Sequence, residues 1–159
     1  MEEPLSLMAR KFLYGGGRAW EPNPNYDYTA FQKEFYFFYG TLMDMDQLAK
    51  VLQLPHRPRS YPAKIVGYSC KLWGPYPALV DNPTGAVVYG VAYEVQSSEE
   101  AERLQAYETD SYMPNGCLIK FKDGSQVLGT VFKWNGDESS LREGTFDLKD
   151  WQMKKLEGL

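Results

Sequence analysis

The chain has 159 residues, which one domain accounts for and which suffices to bury a sizeable core. Its formal charge is −4 and its Lys and Arg are scattered, so it lacks the basic stripe that a phosphate backbone requires; this argues against nucleic acid as a partner. No apolar run approaches the ~20 residues that span a bilayer, which argues against a membrane-spanning class.

The 12 Tyr, 8 Phe and 4 Trp, with 10 Pro and 14 Gly, favour a strand-rich fold with many turns. Cys70 and Cys117 have no metal-like spacing; two free thiols in a reducing cytosol is the simpler account, a single disulfide the other. Acidic Glu2 and Glu3, with no apolar core of signal-peptide length, give a cytoplasmic protein as the expectation.

Residues 1–34 differ from the rest. Tyr14-Gly15-Gly16-Gly17-Arg18 and Glu21-Pro22-Asn23-Pro24-Asn25 break any helix or central strand. Phe12, Leu13, Tyr14, Trp20, Tyr26, Tyr28 and Phe31 are nonetheless too many large apolar groups for a solvated tail. The expectation is an arm, 1–34, packed across a domain formed by 35–159, or across that of a neighbouring copy. Deleting residues 1–30 should then lower solubility. The glycine run is no phosphate loop, because no Gly-Lys-Ser/Thr follows it.

Phe35-Tyr36-Phe37-Phe38-Tyr39 predicts a strand buried on both faces. Gly40 then allows a sharp turn and a close approach by another group. A helix follows to about Leu54, capped by Asp44 or Asp46, with Met45, Leu48, Val51 and Leu52 as its apolar stripe. Such a strand–glycine–helix connection can aim backbone N–H groups at an anion, or be no more than a tight turn. His56 to Arg59 is a polar loop.

Tyr61 to Trp73 reads as one long strand with Gly67 at a bulge. Gly74-Pro75-Tyr76-Pro77 is a turn and Ala78-Leu79-Val80 a short strand. Ala86 to Val95 is another strand, with Val87, Tyr89, Val91, Tyr93 and Val95 on one face. Ser97 opens a second helix, with Glu100 completing a capping box. Ala101, Leu104 and Glu108 share a helical face, so Glu108 falls at the C-terminal end of the apolar side. Asn115 to Phe121 and Val127 to Trp134 pair around Asp123-Gly124, and a last helix starts near Asp147. Strands joined by turns, with two or three peripheral helices, make an α+β fold with a strongly curved sheet or small mixed β-barrel.

Few residues can carry chemistry. His56, the single histidine, sits in a Pro-Arg loop without a nearby carboxylate, so a triad is not expected. No ligand-like cluster suggests a metal site. Glu108, between Tyr107 and Tyr112, is the candidate acid/base: burial there raises a carboxylate pKa towards neutrality, whereas a solvated glutamate would do nothing.

Tyr39-Gly40-Thr41-Leu42-Met43-Asp44, then Leu72-Trp73 with Tyr76-Pro77-Ala78-Leu79-Val80, then Val88 to Val95, then Leu104, Tyr107-Glu108 and Tyr112, occur in that order. This order and spacing resembles the gamma-glutamylcyclotransferase family in its AIG2-like branch, over about Phe35 to Trp134. Phe146-Asp147-Leu148-Lys149-Asp150-Trp151 resembles the tail of fungal members. The resemblance implies a small mixed barrel with peripheral helices. It implies that Tyr39, Gly40, Thr41 and Leu42 hold the α-carboxylate and α-amine end of a γ-glutamyl group, that Glu108 is the catalytic acid/base and that Tyr112 lies in the pocket. No metal or organic cofactor is implied.

The implied reaction is attack by the substrate's α-amine on its own γ-carbonyl, giving 5-oxoproline and a free amine. The developing oxyanion also needs a donor, which the residues do not name. Met113-Pro114 stand where the family often carries a charged residue, so the leaving amine is left open. Two other readings stay open. One is a lyase, isomerase or cyclase that uses the same pocket on an unrelated small molecule; the other is a non-catalytic binding module. The expected partner is a small γ-glutamyl compound, with no nucleic acid and no membrane, and the expected state is a monomer.

Overall fold

The computed structural model describes residues 31–157. The expected arm lies outside the described residues up to position 30, as does the proposed effect of deleting it.

The described residues form seven strands: β1 Glu34–Phe38, β2 Tyr61–Val66, β3 Tyr68–Trp73, β4 Tyr76–Asp81, β5 Val87–Val95, β6 Tyr112–Phe121 and β7 Gln126–Trp134. They also form three α-helices: α1 Met45–Leu52, α2 Ser98–Glu108 and α3 Leu148–Leu156. Five strands close into a barrel in the order β1-β5-β2-β6-β7. The β1–β7 pair is parallel and completes the barrel; the other pairs are antiparallel. Strands β3 and β4 form a separate two-stranded sheet. The fold is thus the mixed barrel with peripheral helices that the sequence predicts.

Strand alternation divides the core in two. Phe37, Ile65, Val88, Ala92, Ile119 and Val131 belong to one apolar cluster, which Leu79 of β4 joins. Tyr36, Phe38, Tyr93, Val95, Phe132 and Trp134 belong to a second, packed with Leu48 and Leu52 of α1, Leu104 of α2 and Ala78 and Val80 of β4. The aromatic run of β1 therefore feeds both clusters. Complete burial of a side chain such as Phe37 or Ile65 contributes roughly 1.5–3 kcal/mol. The strands approach closely at Gly90, where a Cβ would collide with the Phe38 carbonyl.

Local signals set the helix ends. Asp44 caps α1, accepting from the Asp46 and Gln47 amides at 2.8 and 3.0 Å. Ser97 caps α2 through the Glu100 amide. The Glu100 carboxylate reaches back to the Gln96 amide at 3.0 Å, one residue before the cap, and also accepts from the Tyr93 hydroxyl at 2.8 Å.

Four boundaries differ from expectation. Tyr61–Trp73 is two strands, because Gly67 adopts φ +94° and turns the chain out of the barrel into the β3–β4 sheet. Only Gly74-Pro75 forms the next turn: β4 already begins at Tyr76, which pairs with Trp73. Helix α1 ends at Leu52, because Gln53 takes the left-handed conformation. Strand β6 starts at Tyr112 and runs through Pro114. That proline is tolerated because β6 pairs with β2 only near Phe121, leaving one side of β6 without a ladder at Pro114.

Candidate active site

Beyond Phe38 the chain leaves the barrel through Tyr39 and Gly40. The buried Tyr39 hydroxyl donates to the Phe132 carbonyl at 2.6 Å and accepts from the Leu79 amide at 3.3 Å, tying the end of β1 to β7 and β4. A 3-10 turn, Thr41–Met43, follows. Its first internal bond runs from the Met43 amide to the Gly40 carbonyl, so the amides of Gly40, Thr41 and Leu42 precede any acceptor within the turn. Gly40 is needed for proximity rather than for φ. A Cβ there would sit 2.9 Å from Cγ of Pro77, a ring with little freedom to move.

Helix α2 anchors itself through fully buried Leu104 and delivers Glu108 as its last residue. Thr109 ends the helix at φ +61°, ψ −173°, a conformation that non-glycine residues rarely adopt. Strain of this kind costs on the order of 1–3 kcal/mol and clusters at functional sites. Here it falls on the residue beside Glu108.

A cavity of about 320 Å³ lies between the glycine turn, the end of α2 and the β3–β4 hairpin. Its walls are aromatic and hydroxyl-bearing, and among the described residues Glu108 is the one carboxylate of the lining, which holds no Lys or Arg. Glu108 is half-buried, and loss of water pushes its carboxyl up to about 7. Among the described residues no donor or cation offsets that desolvation. The hydroxyls of Tyr39 and Tyr112 are pushed above their ordinary value by burial and then by the Glu108 charge, which shows that all three share one electrostatic environment.

The Tyr112 hydroxyl donates to the Pro77 carbonyl at 2.9 Å, and its ring meets Trp73 and Trp134 edge-on. The Tyr107 hydroxyl lies 2.7 Å from the Thr41 hydroxyl and accepts from the Gln47 side chain at 3.3 Å. Helix α3 braces the same turn: Gln152 donates to Asp44 at 2.7 Å and Lys155 to Gln47 at 2.6 Å.

All six residues singled out in the sequence, Tyr39, Gly40, Thr41, Leu42, Glu108 and Tyr112, line this one cavity. His56 is not among its lining residues. Both cysteines are free thiols, and burial pushes Cys70 up to about 12. Among the described residues no group of His, Cys, Asp and Glu side chains could hold a metal ion. The sequence reading assigned no role to Trp73, Tyr76, Pro77 or Thr109, which also form the walls. The Gly74-Pro75 turn marks where a hairpin tip lies, but not that the tip bends over the cavity.

The family model described as "Gamma-glutamyl cyclotransferase, AIG2-like" matches residues 36–153. No curated protein matches the chain. Among solved structures, the fold is similar to that of an Arabidopsis thaliana protein at TM-score 0.61 and 24% identity, covering 80% of this chain and 86% of that one. An AIG2-like protein from Mus musculus is similar at TM-score 0.58 and 19% identity, over 74% of this chain and 90% of its own. A gamma-glutamyl cyclotransferase from yeast, described as specific to glutathione, is similar at TM-score 0.52 and 15% identity, over 64% and 69%.

Proposed function

Because this chain belongs to the gamma-glutamyl cyclotransferase, AIG2-like family, we propose that it cyclises a γ-glutamyl amide to 5-oxoproline and a free amine, with Glu108 as acid and base. The observation that carries this reading is a desolvated carboxylate, held at about 7, in the same cavity as the leading amides of a glycine turn.

The chemistry follows from charge. The reacting end of the substrate is a zwitterion. Its α-carboxylate suits the amides of Gly40, Thr41 and Leu42, which offer hydrogen bonds without a cation. Its α-ammonium suits Glu108, the one carboxylate in the lining among the described residues. Ionised Glu108 takes a proton from the α-ammonium, and the freed nitrogen lone pair attacks the γ-carbonyl carbon. The tetrahedral centre collapses, the bond to the leaving nitrogen breaks, and Glu108 returns the proton to that nitrogen. The ring nitrogen sheds a second proton, which the released amine takes up as its ammonium, so one five-membered lactam and one alkylammonium form without water or redox change. Holding the chain bent removes several kcal/mol of the barrier, and the proton relay typically contributes 10²–10⁴-fold.

Desolvation of Glu108 also favours a working pocket over a vestigial one, since burying a carboxylate costs stability and such groups cluster at functional sites. We place the reaction in the cytosol, consistent with the free thiols, and in a monomer with a small γ-glutamyl compound as its partner. No helix among the described residues is long and apolar enough to cross a membrane. Release of 5-oxoproline from γ-glutamyl amides, compared between wild type and Glu108→Gln, tests the proposal.

A further inference from the structure

We infer that the leaving group is an amine that carries an aromatic ring and no charge beyond its reacting nitrogen, recognised by Trp73 and Tyr76 at the tip of the β3–β4 hairpin. This inference rests on the cyclotransferase reading and concerns the half of the substrate that the glycine turn and Glu108 do not hold.

The first observation is the charge inventory of the cavity. Among the described residues no Lys, Arg or second carboxylate lines it. With Glu108 committed to the α-ammonium and its proton, a leaving amine carrying its own carboxylate would find no cation. One carrying an extra ammonium would find no anion to itself. On and beside the hairpin, Lys133 pairs with Asp81 at 2.6 Å, Lys71 pairs with Glu143 at 3.5 Å, and Arg142 donates to the Gly74 carbonyl at 3.2 Å. Desolvating an unpaired charge at such a wall is costly, so a neutral group is favoured.

The second observation is the shape of the mouth. Trp73 and Tyr76 are paired across the hairpin and line the cavity, yet they remain 39% and 44% exposed. Large aromatic surface left open beside a cavity is surface that a ligand can cover. Trp73 is held in place rather than loose: its ring lies 4.9 Å from that of Trp134 and meets Tyr112 at 6.4 Å. The hairpin is itself fixed by reciprocal backbone hydrogen bonds between Leu72 and Arg142, at 2.8 and 2.9 Å. A preorganised aromatic wall next to Glu108 suits a flat apolar ring attached to the departing nitrogen.

The test compares 5-oxoproline release from four compounds: the γ-glutamyl derivatives of benzylamine, methylamine, glycine and diaminobutane. The first two release amines that are both uncharged apart from the reacting nitrogen, so their ratio reports the ring. The expected result is a kcat/KM for the benzylamide about tenfold above the methylamide, with both charged leaving groups below it. The benzylamide-to-methylamide ratio should fall towards one in Trp73→Ala and in Tyr76→Ala. Trp73→Leu, which keeps apolar bulk, provides the same reading if Trp73→Ala does not fold. A preference for the glycine or diaminobutane derivative, or a ratio unmoved in folded variants, overturns this inference while the reaction stands. Absence of release from all four overturns the cyclotransferase reading and this inference with it.

Discussion

The Tyr107 hydroxyl lies 2.7 Å from the hydroxyl of Thr41, so the helix that carries Glu108 is joined to the glycine turn one residue before the carboxylate itself. Glu108 and the amides of the glycine turn are thereby held as one unit, although they come from separate parts of the chain. Gln47 reinforces the joint from α1.

Tyr107→Phe removes this joint and keeps the ring. The expected stability loss is about 1 kcal/mol, the usual net worth of one hydrogen bond. Because a small misplacement of the reacting groups is costly, kcat should fall about tenfold or more. Urea denaturation and steady-state kinetics on the same preparation separate the two effects.

The pH dependence follows from Glu108. Its proton is held at about 7 in the folded chain and near the ordinary 4.5 when unfolded. Between these values the native state binds more protons, so its stability is greatest below the unfolded value. The contribution is lost as pH rises through about 7 and is flat above. Glu108→Gln should abolish this slope, which urea midpoints at about pH 5 and about pH 8 would reveal. Activity runs the other way. The proposed mechanism needs the ionised carboxylate, so kcat/KM should climb with pH to a plateau just above neutrality.

Gly40→Ala pushes a methyl against the Pro77 ring at 2.9 Å, and the turn must shift to relieve it. The amides at Gly40, Thr41 and Leu42 then lose their aim, and KM should rise about tenfold, equivalent to one charge-assisted hydrogen bond. Adding Pro77→Ala makes room and should recover part of the loss. Kinetics on the two single variants and the double variant would measure that coupling.

Thr109→Gly relieves the strained conformation that ends α2. Strain relief and the extra freedom of glycine in the unfolded chain oppose each other, and the net expected effect is stabilisation by about 1 kcal/mol. The cost should appear in kcat, since the end of α2 is freer to move Glu108. A variant both less stable and fully active would refute this account of Thr109.

Much of this arrangement was legible in the residues because its causes are local. The aromatic run of β1, the Ser97 cap of α2 and the Asp123-Gly124 turn each depend on neighbours within a few positions. The spacing of Ala101, Leu104 and Glu108 places the carboxylate correctly because helix periodicity is also local. What was not legible depends on long-range packing. Gly67 reads alike as a bulge and as a break, and only the switch of sheets decides between them. The Thr41–Tyr107 contact spans 66 positions. The role of Trp73 and Tyr76 depends on how the hairpin lies over the cavity, which the Gly74-Pro75 turn does not encode.

The central claim is that Glu108 moves the protons of an intramolecular cyclisation. Its most direct test is 5-oxoproline release from γ-glutamyl amides by wild type and Glu108→Gln, with the fold of both checked by circular dichroism. The account predicts release by the wild type and a loss of at least about 100-fold in the folded variant. Equal release from both would contradict the role of Glu108, and no release from either would contradict the reaction itself.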